Sequence, residues 1–310
     1  MTAPARRVAL TGATGFVGGT VLDELVKQGY RVSALVRRNQ PARDGVTWIS
    51  GDLTDEAALR ALVADADAIV HVAGLIKARR RADFFDINKG GTGRLIAALG
   101  GRPLRFIHLS SLAAREPALS SYAASKAAAE VLVKAAPGLD WTILRPPAVY
   151  GPGDRETLVF FRAARRRRPF LPGSAGHRTS LVHVADLAAA IVAAIAMPAL
   201  SDQVAEVHDG EPKGYAFAEV LAMIHGGTGF HRPIFVPGSV LQAAGGALWL
   251  ASMATGGVPM LTPGKARELS HGDWVCRDTT LADAGWRAAI PASRGLPETR
   301  VWYEVHGDLS

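Results

Sequence analysis

Over the first 150 positions, short apolar runs alternate with longer amphipathic stretches. RVALTG, RVSALV, VTWIS, AIVHVAG, RFIHLSS and WTILRPP read as buried strands. Between them, Val17–Gln28, Glu56–Ala64, Asp83–Leu99 and Ala123–Ala136 place apolar residues at helical spacing. Strands that alternate with helices predict parallel pairing through crossover helices, and so an α/β doubly wound sheet of the Rossmann type. A sheet of this kind takes its ligand at the carboxyl ends of its strands.

Beyond Pro152 the alternation breaks down. Helical patterns at Leu158–Arg167, Asp186–Met197 and Phe217–His225 are separated by loops rich in proline and glycine. Leu181–Val184 and Val204–His208 read as further strands, the second returning to the sheet. The expected division is a dinucleotide-binding domain over 1–150 with return segments near 181–208. A smaller C-terminal substrate lobe is expected from 151–180 and 209–310. From Pro233 to Gly264 there is no charged side chain, and the middle reads VLQAAGGALWLASMATGG. Its length would span a bilayer, but five glycines between Gly238 and Gly257 disfavour that. A buried helix of the substrate lobe is the leading expectation, ahead of a helix lining an apolar pocket or lying on a membrane surface.

A net charge of +7 raises the question of an anionic partner. The basic clusters Arg79–Arg81 and Arg165–Arg168 lack any recognition-helix, zinc-finger or aromatic-interleaved pattern, so no nucleic-acid partner is expected. Cys276 is the one cysteine, which excludes an intrachain disulfide and a Cys-based metal site; no metal is expected. The N-terminus runs straight into a strand pattern, leaving no room for a signal peptide, and a cytoplasmic location is the expectation.

Thr11-Gly12-Ala13-Thr14-Gly15-Phe16-Val17-Gly18 stands between the first strand and the first helix. One glycine permits the tight turn, the next lets backbone N–H groups approach a pyrophosphate, and the third lets helix and strand pack closely. The helix N-terminus adds unpaired N–H groups and a positive dipole end. Gly12, Thr14, Gly15, Phe16, Val17 and Gly18 are therefore expected to cradle a dinucleotide. The second strand ends in Arg37-Arg38 with no acid nearby in sequence. A carboxylate there would hold a ribose 2′-hydroxyl, whereas a guanidinium suits a 2′-phosphate, so NADP(H) is expected over NAD(H), with Arg37 as the main contact. Asp52, with Leu53 beside it, is a candidate acceptor for the adenine amino group.

The fifth strand ends in Ser110-Ser111, and Tyr122 and Lys126 follow at i and i+4 on one helix face. An ammonium beneath a phenol favours the tyrosinate and is expected to lower its pKa from near ten. Such a tyrosine can exchange a proton with a carbonyl or alcohol oxygen, and Ser111 can hydrogen-bond the same oxygen.

With these residues the chain resembles the extended short-chain dehydrogenases/reductases, also called the NAD-dependent epimerase/dehydratase family. TGATGFVG, GDLTD, HVAG at 71–74, NKGGT at 88–92, HLSS, YAASK, RPPAVYGPGD at 145–154, LVHVADLA at 181–188 and AGW at 284–286 carry the resemblance. It implies that Asn88 completes the catalytic centre through a water-linked proton path from Lys126. It also implies that Ala73, Gly74 and Ser110 pass near the cofactor and that Pro146 to Val149 lie beside the nicotinamide. His71, His183 and Asp186 match family positions and read as structural.

Two departures narrow the chemistry. The Ser111-to-Tyr122 spacing is shorter than in the family's sugar-nucleotide epimerases, and Leu112–Ser121 lacks the acidic pair of its dehydratases. AGLIKARRRADFFDIN at 73–88, RPPAVYGPGDRETL at 145–158 and PMLTPGKARELSHGDWV at 259–275 are similar to bacterial reductases of 3-oxo-sphingolipids. They are also similar to the short-chain-dehydrogenase-like accessory subunit of complex I. The implied activity is NADPH-dependent reduction of a keto group on a lipid-like small molecule, with peripheral membrane contact through 233–264 on the inner face. The alternatives are a nucleotide-sugar epimerase or reductase, and a non-catalytic NADP(H)-binding subunit. The resemblance also allows a homodimer, for which the sequence carries no signal of its own.

Overall fold

A computed structural model describes residues 6–226, 233–255, 257, 259 and 261–309. Seven strands form the central sheet: β1 (Arg7–Thr11), β2 (Arg31–Val36), β3 (Val46–Ser50), β4 (Ala68–His71), β5 (Arg105–Leu109), β6 (Asp140–Arg145) and β7 (Gln203–Glu206). Their order is β7-β6-β5-β4-β1-β2-β3, and every pairing is parallel. The order reverses between β1 and β4, so a crevice opens where their carboxyl ends part. β7 is the strand expected to return to the sheet, and it does so beside β6.

Alternate residues of each strand enter opposite cores. Val8 and Leu10 of β1 pack under α1 (Phe16–Lys27), while Ala9 joins the layer containing Leu59 and Leu62 of α2 (Glu56–Val63). Both layers are apolar because a parallel sheet covered on both faces leaves no solvated side.

The helix expected over Asp83–Leu99 is three pieces: α3 (Arg81–Phe84), a π-helical turn at Phe85–Gly90, and α4 (Gly91–Ala98). α5 (Ser121–Ala135) begins at Ser120, whose hydroxyl caps it by accepting from the Ala123 N–H at 3.0 Å.

α6 (Leu158–Ala164), α7 (Val184–Ile195) and α8 (Phe217–His225) follow. α7 packs with α1 on one sheet face, whereas Leu158 and Phe161 of α6 meet Leu221 and Ile224 of α8 in a third core. α9 (Gly238–Thr255), α10 (Pro263–Ser270), α11 (Thr280–Asp283) and α12 (Ala292–Val305) complete the chain. The C-terminal run is shared between cores. Leu281 of α11 packs with the sheet, and Leu296 and Tyr303 of α12 pack in the third core.

α9 departs from the expectation of a buried helix. Two of its glycines turn inward: a Cβ on Gly238 would stand 2.9 Å from Ser270 of α10, and one on Gly245 would stand 2.9 Å from the Thr262 carbonyl carbon. Ser252, a further seven residues along, is also buried. Val240, Leu248, Leu250 and Met253 are 53, 49, 61 and 60% exposed. Periodicity marks an apolar helix without saying which side meets protein, and here Gly238 and Gly245 took the protein side while Gly246 faces open space. Among the described residues no helix is long and apolar enough to cross a membrane.

Candidate active site

The glycine-rich turn lies at the end of β1, where the sheet order reverses. Gly12 has φ +79°, and a Cβ there would stand 2.8 Å from the Ala73 backbone nitrogen beyond β4. A Cβ on Gly18 would overlap the Gly12 carbonyl, so only glycine lets α1 pack on the turn. Gly15 is the N-cap of α1, with no side-chain cap and no acid in the first turn. The N–H groups opening α1 therefore face outward without a carboxylate competing for them, which fits a dinucleotide pyrophosphate. Thr14 is exposed, while Phe16 and Val17 are half-buried at the start of the helix.

Arg37 and Arg38 are exposed at the end of β2. The acid missing from that stretch of sequence is nevertheless close in space. Hydrogen bonds from Thr54 hold the Asp52 carboxyl below its ordinary pKa, and the nearby charge of Arg37 lowers it further. Asp52 Oδ1 accepts from the Thr54 N–H and hydroxyl at 2.7 and 2.6 Å, an Asx turn that fixes it beside the crevice. Leu53 turns its side chain inward against Gly91, and its carbonyl accepts from Arg94 Nε at 2.6 Å.

At the carboxyl end of β5, Ser111 caps a 3₁₀ turn over Leu112–Arg115, and that short turn accounts for the abbreviated path to Tyr122. Tyr122 sits in the first turn of α5, with the Phe84 ring edge-on at 6.3 Å. Burial pushes the Tyr122 hydroxyl up to about 12, a hydrogen bond with Ser111 opposes this, and the charge of Glu268 adds to it. The expected depression by Lys126 is not found: burial, Ser111 and Glu268 set the balance, and desolvation of the phenolate governs this tyrosine. Lys126, one turn along, is buried and donates to the Leu109 carbonyl at 2.6 Å. Burial brings its ammonium down to about 8, with Glu130 opposing.

Asn88 lies in the π turn and serves as a brace. Its Oδ1 accepts from the Leu75 N–H at 2.6 Å, and its Nδ2 donates to the Leu75 carbonyl at 3.0 Å and to Ser125 Oγ at 2.8 Å. The loop after β4 is thereby tied to the residue preceding Lys126. A Cβ on Gly74, within that loop, would stand 3.2 Å from Asn88 Oδ1 and 3.6 Å from Lys126 Nζ. Widened turns of this kind recur at functional sites because they re-aim one side chain.

Behind the brace runs a buried polar chain. The Ala73 N–H donates to Thr11 Oγ1 at 3.1 Å, Thr11 Oγ1 is 2.7 Å from His71 Nδ1, and His71 Nε2 is 3.0 Å from Thr92 Oγ1. Thr92 in turn donates to the Asn88 carbonyl at 2.6 Å. Thr92 having spent its proton, His71 must donate from Nε2 and accept at Nδ1. Burial, with the Lys126 charge adding to it, lowers His71 to about 3, which keeps it neutral. His71 is structural, as read from the sequence.

Ser110, expected near the cofactor, is buried with its hydroxyl engaged inside the protein. Its hydroxyl donates to Glu130 Oε1 at 2.5 Å, and Glu130 is clamped by Arg145 through bonds of 2.8 and 2.5 Å. Pro146 is buried, its carbonyl accepting from the Leu112 N–H at 2.8 Å, so it holds the Ser111 turn in place. Val149 is half-buried, in the strand Ala148–Tyr150 beside Leu181–His183.

One residue of the site carries no signal in the sequence. Glu268 of α10 is buried, accepts from the Ser120 hydroxyl that caps α5, and pairs with Lys265 at 3.3 Å. Its neighbour Arg267 donates to the Leu119 carbonyl at 2.7 Å. Only the folded chain brings position 268 to the start of α5. Glu268→Gln is expected to lower the Tyr122 pKa by removing a negative neighbour. In an ultraviolet titration of the phenols, read as the difference from Tyr122→Phe, the Tyr122 transition would then begin at lower pH, and an unmoved transition would show that Glu268 does not act on Tyr122.

Comparison with known proteins decides the lineage. Residues 8–207 match the NAD dependent epimerase/dehydratase family. The chain belongs to this family. It is 40% identical over 308 residues to a ceramide reductase of Caulobacter vibrioides, covering 97% of this chain and 96% of that one. A 2-alkyl-3-oxoalkanoate reductase of Stenotrophomonas maltophilia is 26% identical, with 94 and 97% covered. The mitochondrial NADH dehydrogenase 1 alpha subcomplex subunit 9 of Dictyostelium discoideum is 26% identical, over 73% of this chain and 65% of that one. Among solved structures, the Bordetella bronchiseptica enzyme WbmH in complex with NAD⁺ superposes with a TM-score of 0.74 at 19% identity, covering 98% of this chain and all of that one. The family member described here is an oxidoreductase, and a nicotinamide dinucleotide is the cofactor class of its site.

Proposed function

We propose that the protein is an NADPH-dependent reductase acting on a keto group of a hydrophobic, lipid-like substrate, such as 3-oxo-ceramide or a 3-ketosphingoid base. The observation that carries the chemistry is the meeting of Ser111 with Tyr122, one helical turn before buried Lys126, whose ammonium lies beside Gly74. The substrate class rests on the near-full-length likeness to a ceramide reductase.

When bound, the reduced nicotinamide supplies hydride to the carbonyl carbon. Gly12, Gly15 and the opening turn of α1 would hold its pyrophosphate, and Arg37 with Arg38 a 2′-phosphate. Tyr122 remains protonated through neutral pH and gives its proton to the carbonyl oxygen, while Ser111 hydrogen-bonds the same atom. Lys126 stabilises the phenolate left behind, and its cation is retained below about 8.

Arg37→Glu tests the cofactor. Losing a charge-assisted bond of about 1.5–3 kcal/mol should weaken NADPH binding by roughly ten- to a hundredfold in a fluorescence titration, with NADH affected far less. Preference for NADH in the unaltered protein, with turnover of sugar nucleotides and none of long-chain ketones, would overturn the reading in favour of a nucleotide-sugar enzyme.

A further inference from the structure

α9 wears its side chains inside out for a helix of a water-soluble fold. Gly238 and Gly245 face α10 and Ser252 is buried, while Val240, Leu248, Leu250 and Met253 face outward. In water this arrangement forfeits the apolar burial that normally holds a surface helix down. It is the arrangement of helices bathed in lipid, where small residues make the protein seam and large apolar ones meet acyl chains.

The apolar surface continues beyond the helix. The strand Ile234–Val236 leads into α9 and pairs in parallel with Phe170–Pro172, setting Ile234 beside Phe170, which is 59% exposed. Immediately before Phe170 come Arg165–Arg168, all exposed, and none forms an ion pair among the described residues. Four cations thus border a face that has no acid from 233 to 264.

We infer that this face docks on an anionic lipid bilayer, with α9 lying in the interfacial plane and Arg165–Arg168 meeting the headgroups. A second copy of the chain fits poorly, since it would bring four more arginines and no carboxylate to a face that has none to offer. The consequence for the site is geometric. α10, which carries α9 on one side, holds the capping residue of the catalytic helix on the other through Glu268. The docking face and the catalytic tyrosine are therefore joined by a single helix.

The surface does not depend on the substrate reading, and its test needs no turnover. The full chain is to be sedimented with vesicles of phosphatidylcholine and phosphatidylglycerol in equal parts, and with phosphatidylcholine alone. Binding to the mixed vesicles is expected, falling as salt rises. Replacing Arg165–Arg168 with glutamine should cost about fivefold per charge and abolish the salt dependence. Leu250→Asp with Met253→Asp should remove binding to both vesicle types, with the melting temperature held, because neither side chain is buried. A full chain that stays in the supernatant with both vesicle types overturns the inference. So does a concentration-dependent dimer in light scattering that the same double variant dissolves, which would make the face a subunit seam.

Discussion

Tyr122→Phe is expected to leave the protein folded and able to bind its dinucleotide while turnover falls by about two to four orders of magnitude. The hydroxyl is the one acid placed to meet Ser111, and phenylalanine keeps the ring that faces Phe84 edge-on. Little stability should be lost, since the hydroxyl's partner, Ser111, also accepts from the Ala113 N–H. The measurement pairs a fluorescence titration of the reduced cofactor with its absorbance decay in the presence of a long-chain ketone. Retained binding with lost decay assigns Tyr122 as proton donor. Full turnover would mean that the proton comes from elsewhere and that the Ser111–Tyr122 meeting is structural.

Lys126→Met separates function from stability. The buried ammonium titrates at about 8 where an exposed lysine would titrate at 10.5. The folded state therefore carries a charge it would rather shed, at a cost on the order of 3 kcal/mol when fully protonated. The sign follows from linkage. A lowered lysine pKa penalises folding fully below about 8, and the penalty fades as pH rises towards 10.5. Methionine removes the penalty but leaves the Leu109 carbonyl without its donor, which returns about 1–3 kcal/mol. The variant should thus lose turnover as heavily as Tyr122→Phe while melting no lower than the unaltered protein at neutral pH. Compared across pH, its advantage should shrink steadily from pH 8 to 10. An advantage that grows with pH would contradict a desolvated Lys126.

What the sequence disclosed and what it hid divide along physical lines. The strands, the glycine turn and the Tyr122–Lys126 spacing were legible because each is local: a period of two, a positive φ, one helical turn. Parallel order followed from crossover length alone. The π turn at Asn88 was not legible, for it depends on how α3 and α4 dock against α5 rather than on any residue within it. Ser110 illustrates the same limit. It stands beside Ser111 in sequence, yet a strand end sends consecutive side chains to opposite sides, and only its sister reaches Tyr122. Glu130 and Arg145, which claim Ser110, lie on α5 and β6 and meet only in the fold. Asp52 reaches Arg37 through sheet neighbours β2 and β3, so an end of β2 that reads as free of acid is not so in space. On α9, glycines seven apart held the clue to which side is covered.

The overlap that forbids any side chain at Gly18 also joins the phosphate turn to the first helix as one rigid piece. Its shape is settled when the chain folds, so a dinucleotide arriving later pays little to organise it. Under the proposed function, holding the pyrophosphate and choosing between two ribose chemistries would be tasks of separate parts, the first locked in backbone and the second given to Arg37 and Arg38, both exposed. Cofactor preference in such a protein can drift, or be engineered, by exchanging exposed side chains while the grip on the common phosphates stays as it was.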